Sequence, residues 1–325
     1  MPESYKKDVI RVDYRTGKKI LFSSVRNNKP DDFYHISGDN WESDISKCPF
    51  EYGKEALNKT IKLVGGDEHS WKLKVIENKF PMLSPEFDFI PLEGLLEEKP
   101  AFGYCEVIFE TPIHNLRFSQ LGKEEYLRWL DTIIERENEL YSRDRIKYVY
   151  VFKNEGPRSG ASLSHTHSQI ISFEEVPETI KDEQKKISEF IDSNHACLYE
   201  QILNYEKERV LVENNTFIAF APFGSKMSSE SLIMPKRHVN YVGLLSSEEK
   251  SDFVDILSKI IKTNEALFGK ISYNILFHEV KDDENFHFHV EICPRVITFA
   301  AIEFAGFNTN QVFPEFYAKL FREKS

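Results

Sequence analysis

Two histidines one residue apart, His165 and His167, sit inside the stretch SGASLSHTHSQIIS. In a strand, residues i and i+2 share a face, so these imidazoles project side by side. Such a pair can clamp a metal, supply a nucleophile with a partner, or be ordinary strand residues. The residues before it favour chemistry. The run NEGPRSGASLSHTHSQ carries Gly156 and Gly160, with Ser159, Ser162 and Ser164 between and after them. Small residues let backbone N–H groups approach an anion closely, and Arg158 adds charge. Gln169, two residues beyond His167 and on the same face, offers an amide donor. A neutral imidazole is a competent nucleophile near pH 7. Donors around it suit attack at phosphorus, where positioning and charge stabilisation dominate.

The elements that must carry this pair occur twice. CEVIFETPIHN, Cys105 to Asn115, is a β-rich run ending in Pro and His. The next segment places Tyr126, Leu127, Leu130, Ile133, Ile134 and Leu140 at helical spacing. KYVYVFKNEG and SHTHSQIIS then read as strands. Later, ESLIMPKRHVN, Glu230 to Asn240, again ends in Pro and His. A helix follows, with a Ser246/Glu249 capping box, a stripe of Phe253, Ile256, Leu257, Ile260 and Ile261, and Gly269 at its end. SYNILFHEV reads as a strand, and NFHFHVEICPR as another carrying His287 and His289. His114 and His165 are 51 residues apart, and His238 and His287 are 49 apart. A shared order with shared spacing predicts two copies of one α+β unit, each a mostly antiparallel sheet with one long helix across it. The charged piece between them, about 174–204, reads as helical. Near the N-terminus, YRTGKKILFSS reads as a hairpin turning near Thr16-Gly17, and SWKLKVIENKFPML as a strand.

The bulk numbers set limits. With 325 residues, 41% hydrophobic and 13% aromatic, the chain can bury a substantial core. A net charge of −11 argues against a nucleic-acid partner, though a local pocket of donors can still take a small anion. No apolar run spans a membrane, and the N-terminus has no signal-peptide core. Cys48, Cys105, Cys197 and Cys293 are scattered, so reduced thiols in a cytoplasmic protein are expected.

These segments together resemble the galactose-1-phosphate uridylyltransferase family of the histidine-triad superfamily. RVDYRTGKKILFSSVRNNKPDDF is similar to its opening Arg-x-Asp-Pro-x-Thr-Gly segment, CPFEYG to its Cys-Pro-Phe-Cys-x-Gly, and ENKFPML to its Asn-Lys-Phe-Pro-Ala-Leu. EVIFETPIHN is similar to Glu-Val-x-x-Glu-Thr-Pro-x-His. NEGPRSGASLSHTHSQI is similar, without a gap, to Asn-x-Gly-x-x-x-Gly-x-Ser-x-x-His-Pro-His-x-Gln. The resemblance implies two tandem histidine-triad-like units, 1–180 and 181–325, with N-terminal extensions. It implies a nucleotidyltransferase that passes a nucleoside monophosphate from a nucleotide sugar to phosphate or a sugar phosphate. His167 would be the nucleophile, and Gln169 would bind the phosphate oxygens. Ser162, Asn154 and Gly160 would shape the phosphate pocket; Arg26 and Asn78 would contact the nucleotide. Cys48, Glu51, His114 and His165 would hold zinc. Glu183, His278, His287 and His289 would hold a second metal, iron or zinc. A homodimer is also implied.

Three departures from the family pattern bear on function. Thr166 replaces the proline of His-Pro-His, and Glu51 replaces a cysteine. The sugar-phosphate segment Ala-Gly-Phe-Glu-x-Gly-Thr-Gly reads AGFNTNQVFPEF here. The last change turns attention to relatives that use inorganic phosphate, such as nucleotide-sugar and dinucleotide phosphorylases. A hydrolase using water, or a non-catalytic nucleotide-binding homologue, are the other readings.

Overall fold

β-Rich runs punctuated by Gly, Pro and Asp fold as strands, and each 3.6-period stripe folds as a helix. The computed structural model describes residues 8–23, 39, 44–51, 54, 59–86, 92, 94–296 and 301–325. In chain order the main elements are β1 (Val9–Val12), β2 (Lys19–Phe22), β3 (Thr60–Val64), β4 (Leu73–Glu77), β5 (Gly103–Phe109) and α1 (Lys123–Tyr141). Next come β6 (Tyr148–Glu155), β7 (His167–Phe173), α2 (Glu178–Asn194), α3 (Leu198–Tyr205), β8 (Val210–Glu213), β9 (Phe217–Phe220) and β10 (Ser231–Pro235). The chain ends with α4 (Ser247–Phe268), β11 (Tyr273–His278), β12 (His289–Pro294), α5 (Ala301–Phe304), β13 (Asn308–Asn310) and α6 (Pro314–Lys324). The segment 174–204 is helical, as its composition suggested, in α2 and α3.

The described residues group into two compact units. One draws on Glu42–Lys153 and Leu163–Pro177; the other on Met1–Trp41, Asn154–Ser162 and Glu178–Ser325. In the first unit the strand order is β3-β4-β5-β7-β6, antiparallel throughout. Trp71, Ile76, Val107 and Phe109 form a core cluster, with Phe50 and Leu63 against it. Helix α1 lies on β7, where Trp129 Nε1 donates to Ser168 Oγ at 3.0 Å. Its buried face holds Tyr126, Trp129, Leu130, Ile133 and Leu140, while the expected Leu127 and Ile134 are only half-buried. Arg136 and Glu137 take inner positions instead. Arg136 can be buried because the Glu106 carboxylate of β5 receives its Nε and Nη2 at 2.8 and 2.7 Å.

The second unit repeats this topology: β8-β9-β10-β12-β11, again antiparallel. In both, the strand starting at a His-x-His motif lies between its two partners. Helix α4 begins at the expected capping box: Ser246 Oγ accepts from Glu249 N at 3.2 Å, and Glu249 accepts from Ser246 N at 2.8 Å. It buries the expected stripe and ends at Gly269, φ 77°. β1 and β2 form the expected hairpin, with Gly17 at φ 76° in its turn and β13 parallel to β2. Behind the turn, Arg15 is buried among Asp13 (2.9 Å), Glu230 (2.8 Å) and Glu291.

Candidate active site

His167 opens β7 and is held from both sides. Phe109 of β5 stands opposite His167, and Lys153 of β6 stands opposite Ser168. His167 Nδ1 lies 2.8 Å from the His165 carbonyl oxygen. A carbonyl only accepts, so Nδ1 carries the proton and Nε2 the lone pair. His165 is wired the opposite way: its Nε2 donates to Thr111 O at 2.8 Å, which places the lone pair on Nδ1. That nitrogen faces Cys48 Sγ at 3.6 Å and Glu51 Oε1 at 3.3 Å. Glu51 Oε1 is in turn 2.7 Å from His114 Nδ1. The neighbouring imidazoles therefore present different nitrogens to different tasks.

Cys48, Glu51, His114 and His165 all converge, their ligand atoms within 4.8 Å of one another. Edges of about 3.3–3.8 Å are what a tetrahedron with zinc–ligand bonds of 2.0–2.3 Å requires. Burial, with help from Glu51, pushes the Cys48 thiol up to about 11. A bound divalent cation would reverse that preference by favouring the thiolate. The donor set of one sulfur, two nitrogens and one carboxylate oxygen fits such an ion.

Asn154, Gly160 and Ser162 belong to the other compact unit. Gly156, φ 87°, leaves no space for a side chain, since a Cβ would sit 2.4 Å from Ser272 Oγ. Gly160, φ 89°, is open; the nearest atom to a Cβ there is Asn154 Nδ2 at 4.0 Å. Asn274 Nδ2 donates to Asn154 Oδ1 (2.7 Å) and to Ser159 O (3.0 Å), so the Asn154 amide donor turns toward Gly160. Ser162 is exposed. Arg158 is partly exposed, and Asp39 pairs with its Nε at 3.1 Å, which offsets part of the charge it brings to the loop.

Asn78 holds a turn: its N donates to Cys105 O at 2.8 Å and its Oδ1 accepts from Phe80 N at 3.0 Å. It lines a cavity of about 540 Å³ together with Glu77, Tyr104, Glu106 and Arg143. Arg26 lies outside the described residues. Gln169 is half-buried on β7, opposite Val107 and Phe152.

In the second half, Glu183, His278 and His289 come together as expected, and His287 does not join them. His278 pairs with His289 across β11 and β12, their rings stacked at 4.7 Å. Glu183 Oε1 is 2.9 Å from His278 Nδ1, and its Oε2 is 3.6 Å from His289 Nε2. Glu183 Oε2, His278 Nε2 and His289 Nε2 are buried and make no hydrogen bond among the described residues, with Glu291 Oε2 3.4 Å from His278 Nε2; a metal ion is one group that would satisfy them. Burial opposes charge on His278, but Glu183 and Glu291 overcome it and raise it to about 9. Burial holds His289 down at about 3.

His287 enters a third cluster, with Cys197 and His238. Cys197 Sγ lies 3.4 Å from His238 Nδ1 and 4.0 Å from His287 Nδ1, while His287 Nε2 donates to Pro235 O at 3.0 Å. His287 turns its Nδ1 to Cys197 while His289 faces Glu183, so the two histidines fall in separate candidate clusters. Reading the two halves against each other could have found this cluster. Cys48-x-x-Glu51, His114 and His165 recur as Cys197-x-x-Glu200, His238 and His287.

A family model described as galactose-1-phosphate uridyl transferase, N-terminal domain, matches residues 9–177, and one for a domain of unknown function matches 115–314. An ADP-glucose phosphorylase of Arabidopsis thaliana is 29% identical over 327 residues, covering 97% of this chain and 93% of its own. A galactose-1-phosphate uridylyltransferase of Thermotoga maritima is 29% identical over 242 residues, covering 71% and 76%. The crystal structure of an Arabidopsis thaliana ADP-glucose phosphorylase with bound ADP-glucose superposes with a TM-score of 0.84 at 27% identity, over 98% of this chain and 100% of the other. A uridylyltransferase structure gives 0.77 at 25% identity, over 98% of each chain.

Proposed function

The chain belongs to the galactose-1-phosphate uridyl transferase family and is a nucleotidyltransferase; from that premise we propose that His167 carries a nucleoside monophosphate from a nucleotide sugar to inorganic phosphate. The observation that carries this reading is the His167 Nδ1 bond to His165 O, which directs the Nε2 lone pair outward from its own backbone. Nε2 forms a bond to the α-phosphorus as the bond from that phosphorus to the bridging oxygen breaks. The sugar 1-phosphate leaves with the electron pair. Phosphate then attacks the same phosphorus, the N–P bond breaks, and a nucleoside diphosphate is released. Gln169 supplies an amide to the phosphoryl oxygens. Asn154, Gly160 and Ser162 supply further donors, and Asn78 and Arg26 hold the nucleotide.

Phosphate, rather than a sugar phosphate, is favoured as acceptor by the C-terminal segment. Asn308–Asn310 form a strand paired with β2. Asn310 spends its amide on Ser225 O and Met227 O (both 2.9 Å), and its Oδ1 accepts from Ser228 Oγ (3.0 Å) and Val312 N (2.9 Å). The similarity to an ADP-glucose phosphorylase along nearly the whole chain supports an adenine nucleotide as donor. Cys48, Glu51, His114 and His165 are read as a zinc site, and Cys197, His238 and His287 as its counterpart. Glu183, His278 and His289 suit zinc or iron. Such ions would brace the strand ends. The repeated topology supports tandem histidine-triad-like units at 1–180 and 181–325.

Mixing the protein with ADP-glucose tests this. Without phosphate, glucose 1-phosphate is released once per active site and then stops; with phosphate, turnover continues and ADP accumulates. Equal steady release in both cases would indicate hydrolysis, and no release from ADP- or UDP-glucose would overturn the reading.

A further inference from the structure

Beneath the nucleophile's strand, on the face away from its ring, lies a buried cation. Lys153 of β6 is 1% exposed. Its ammonium donates to Thr166 Oγ1 at 2.7 Å and to the His167 carbonyl oxygen at 3.0 Å. It reaches the Glu110 carboxylate at 3.2 and 3.3 Å. An ammonium has three N–H groups, and these three acceptors match them. It also lies 4.5 Å from the Phe118 ring centroid. Glu110, fully buried just beyond β5, accepts from Ser168 Oγ as well, and Ser168 accepts from Trp129 of α1. Thr166 and Ser168 flank His167 in the chain, so the residue on each side of the nucleophile is tied to one Lys153–Glu110 pair.

Burying a lysine and a glutamate is unfavourable unless the geometry satisfies both. A strand needing only stability would be served by apolar residues at these positions. Here the charges are spent on the three consecutive residues 166–168. Thr166 stands where the resemblance expects proline. Threonine leaves φ free where proline would fix it, and its hydroxyl returns the constraint through Lys153.

We propose that Lys153, neutralised by Glu110 and acting through Thr166 and the His167 carbonyl, is a positioning residue that sets the angle of the His167 imidazole for attack. It touches no substrate. Displacement at phosphorus needs the attacking nitrogen in line with the leaving oxygen, so loosening this anchor lowers the rate of transfer and leaves donor affinity intact. The inference rests on the proposed role of His167.

The test is single-turnover transfer from ADP-glucose labelled in its α-phosphate, quenched on the millisecond scale, in the full chain. Thr166→Val keeps the side chain's size and branching, so the fold is kept, though the buried ammonium loses one acceptor at some cost in stability. Its nucleotidylation rate at saturating donor is expected to fall about tenfold or more, with donor affinity within about twofold and a melting temperature lower by only several degrees, so that the chain stays folded at the assay temperature. Lys153→Met falls further, and adding Thr166→Pro to it restores part of the rate, because proline supplies the lost constraint. Should Lys153→Met not fold, the pair Lys153→Met/Glu110→Gln removes both charges, and proline must then rescue that background. Wild-type rates in Thr166→Val, or losses that follow melting temperature and are not rescued by proline, would overturn the inference alone. A wild-type protein that takes no label from ADP- or UDP-glucose would overturn the role of His167 and this inference with it.

Discussion

The chain contains two His-x-His strands built to one local plan and put to different uses. In each, the first histidine donates Nε2–H to a carbonyl of the preceding Pro/His segment, Thr111 for His165 and Pro235 for His287. In each, that leaves Nδ1 facing a cysteine. In each, the second histidine donates Nδ1–H to the carbonyl of the first, at 2.8 and 2.9 Å. The difference lies in what stands before the second Nε2. His289 is fully buried between Glu183, His278 and the Tyr199 ring, 5.0 Å away. His167 follows a glycine- and serine-rich loop and precedes Gln169. Identical wiring thus yields an enclosed acid–imidazole cluster in one copy and a candidate nucleophile in the other.

The comparison breaks most sharply at these two residues. His167→Asn is expected to lower transfer by about a thousandfold or more, measured as label retained on the protein, because the proposed mechanism passes through a covalent bond to His167. His289→Asn is expected to keep transfer within about tenfold while reducing bound metal. Equal losses in both variants would mean that the copies are not differentiated as described.

A smaller effect is expected at the paired cysteines. Cys48→Ala and Cys197→Ala should each remove about one metal equivalent per chain by elemental analysis, with a melting temperature lower by several degrees. Loss from only one variant would show that the two clusters, though alike in residue type, are not equivalent sites.

The smallest expected effect separates the two long helices. α1 starts at Gly122, capped only by Glu125, whereas α4 has a reciprocal Ser246–Glu249 box. Ser246→Ala should cost about 1 kcal/mol. The Arg237 guanidinium and the box hold the Glu249 carboxyl down at about 2, against 4.5 ordinarily. Its contribution is therefore present above pH 4.5 and is lost as pH falls toward 2. A denaturant titration repeated across that range should show a shallower acid loss in Glu249→Gln.

Local patterns were readable in the chain itself. The capping box, the hairpin turn at Gly17 and the repeated strand–helix–strand–strand order each depend on neighbours in sequence. The first candidate metal cluster was suggested only through resemblance, since Cys48, His114 and His165 come from distant segments. What escaped depends on pairing across elements. Arg136 of α1 takes an inward position because Glu106 of β5 receives it. Arg158 gains a partner in Asp39, and His287 leaves its expected partners for Cys197. No helix among the described residues is long and apolar enough to cross a membrane.

The most direct test weighs the intact protein after brief incubation with ADP-glucose, and separately UDP-glucose, without phosphate. The wild-type chain is predicted to gain one nucleoside monophosphate, lost again when phosphate is added, and His167→Asn is predicted to gain none. A wild-type mass that never changes, or the same gain in His167→Asn, would contradict the assignment of His167 as the nucleophile.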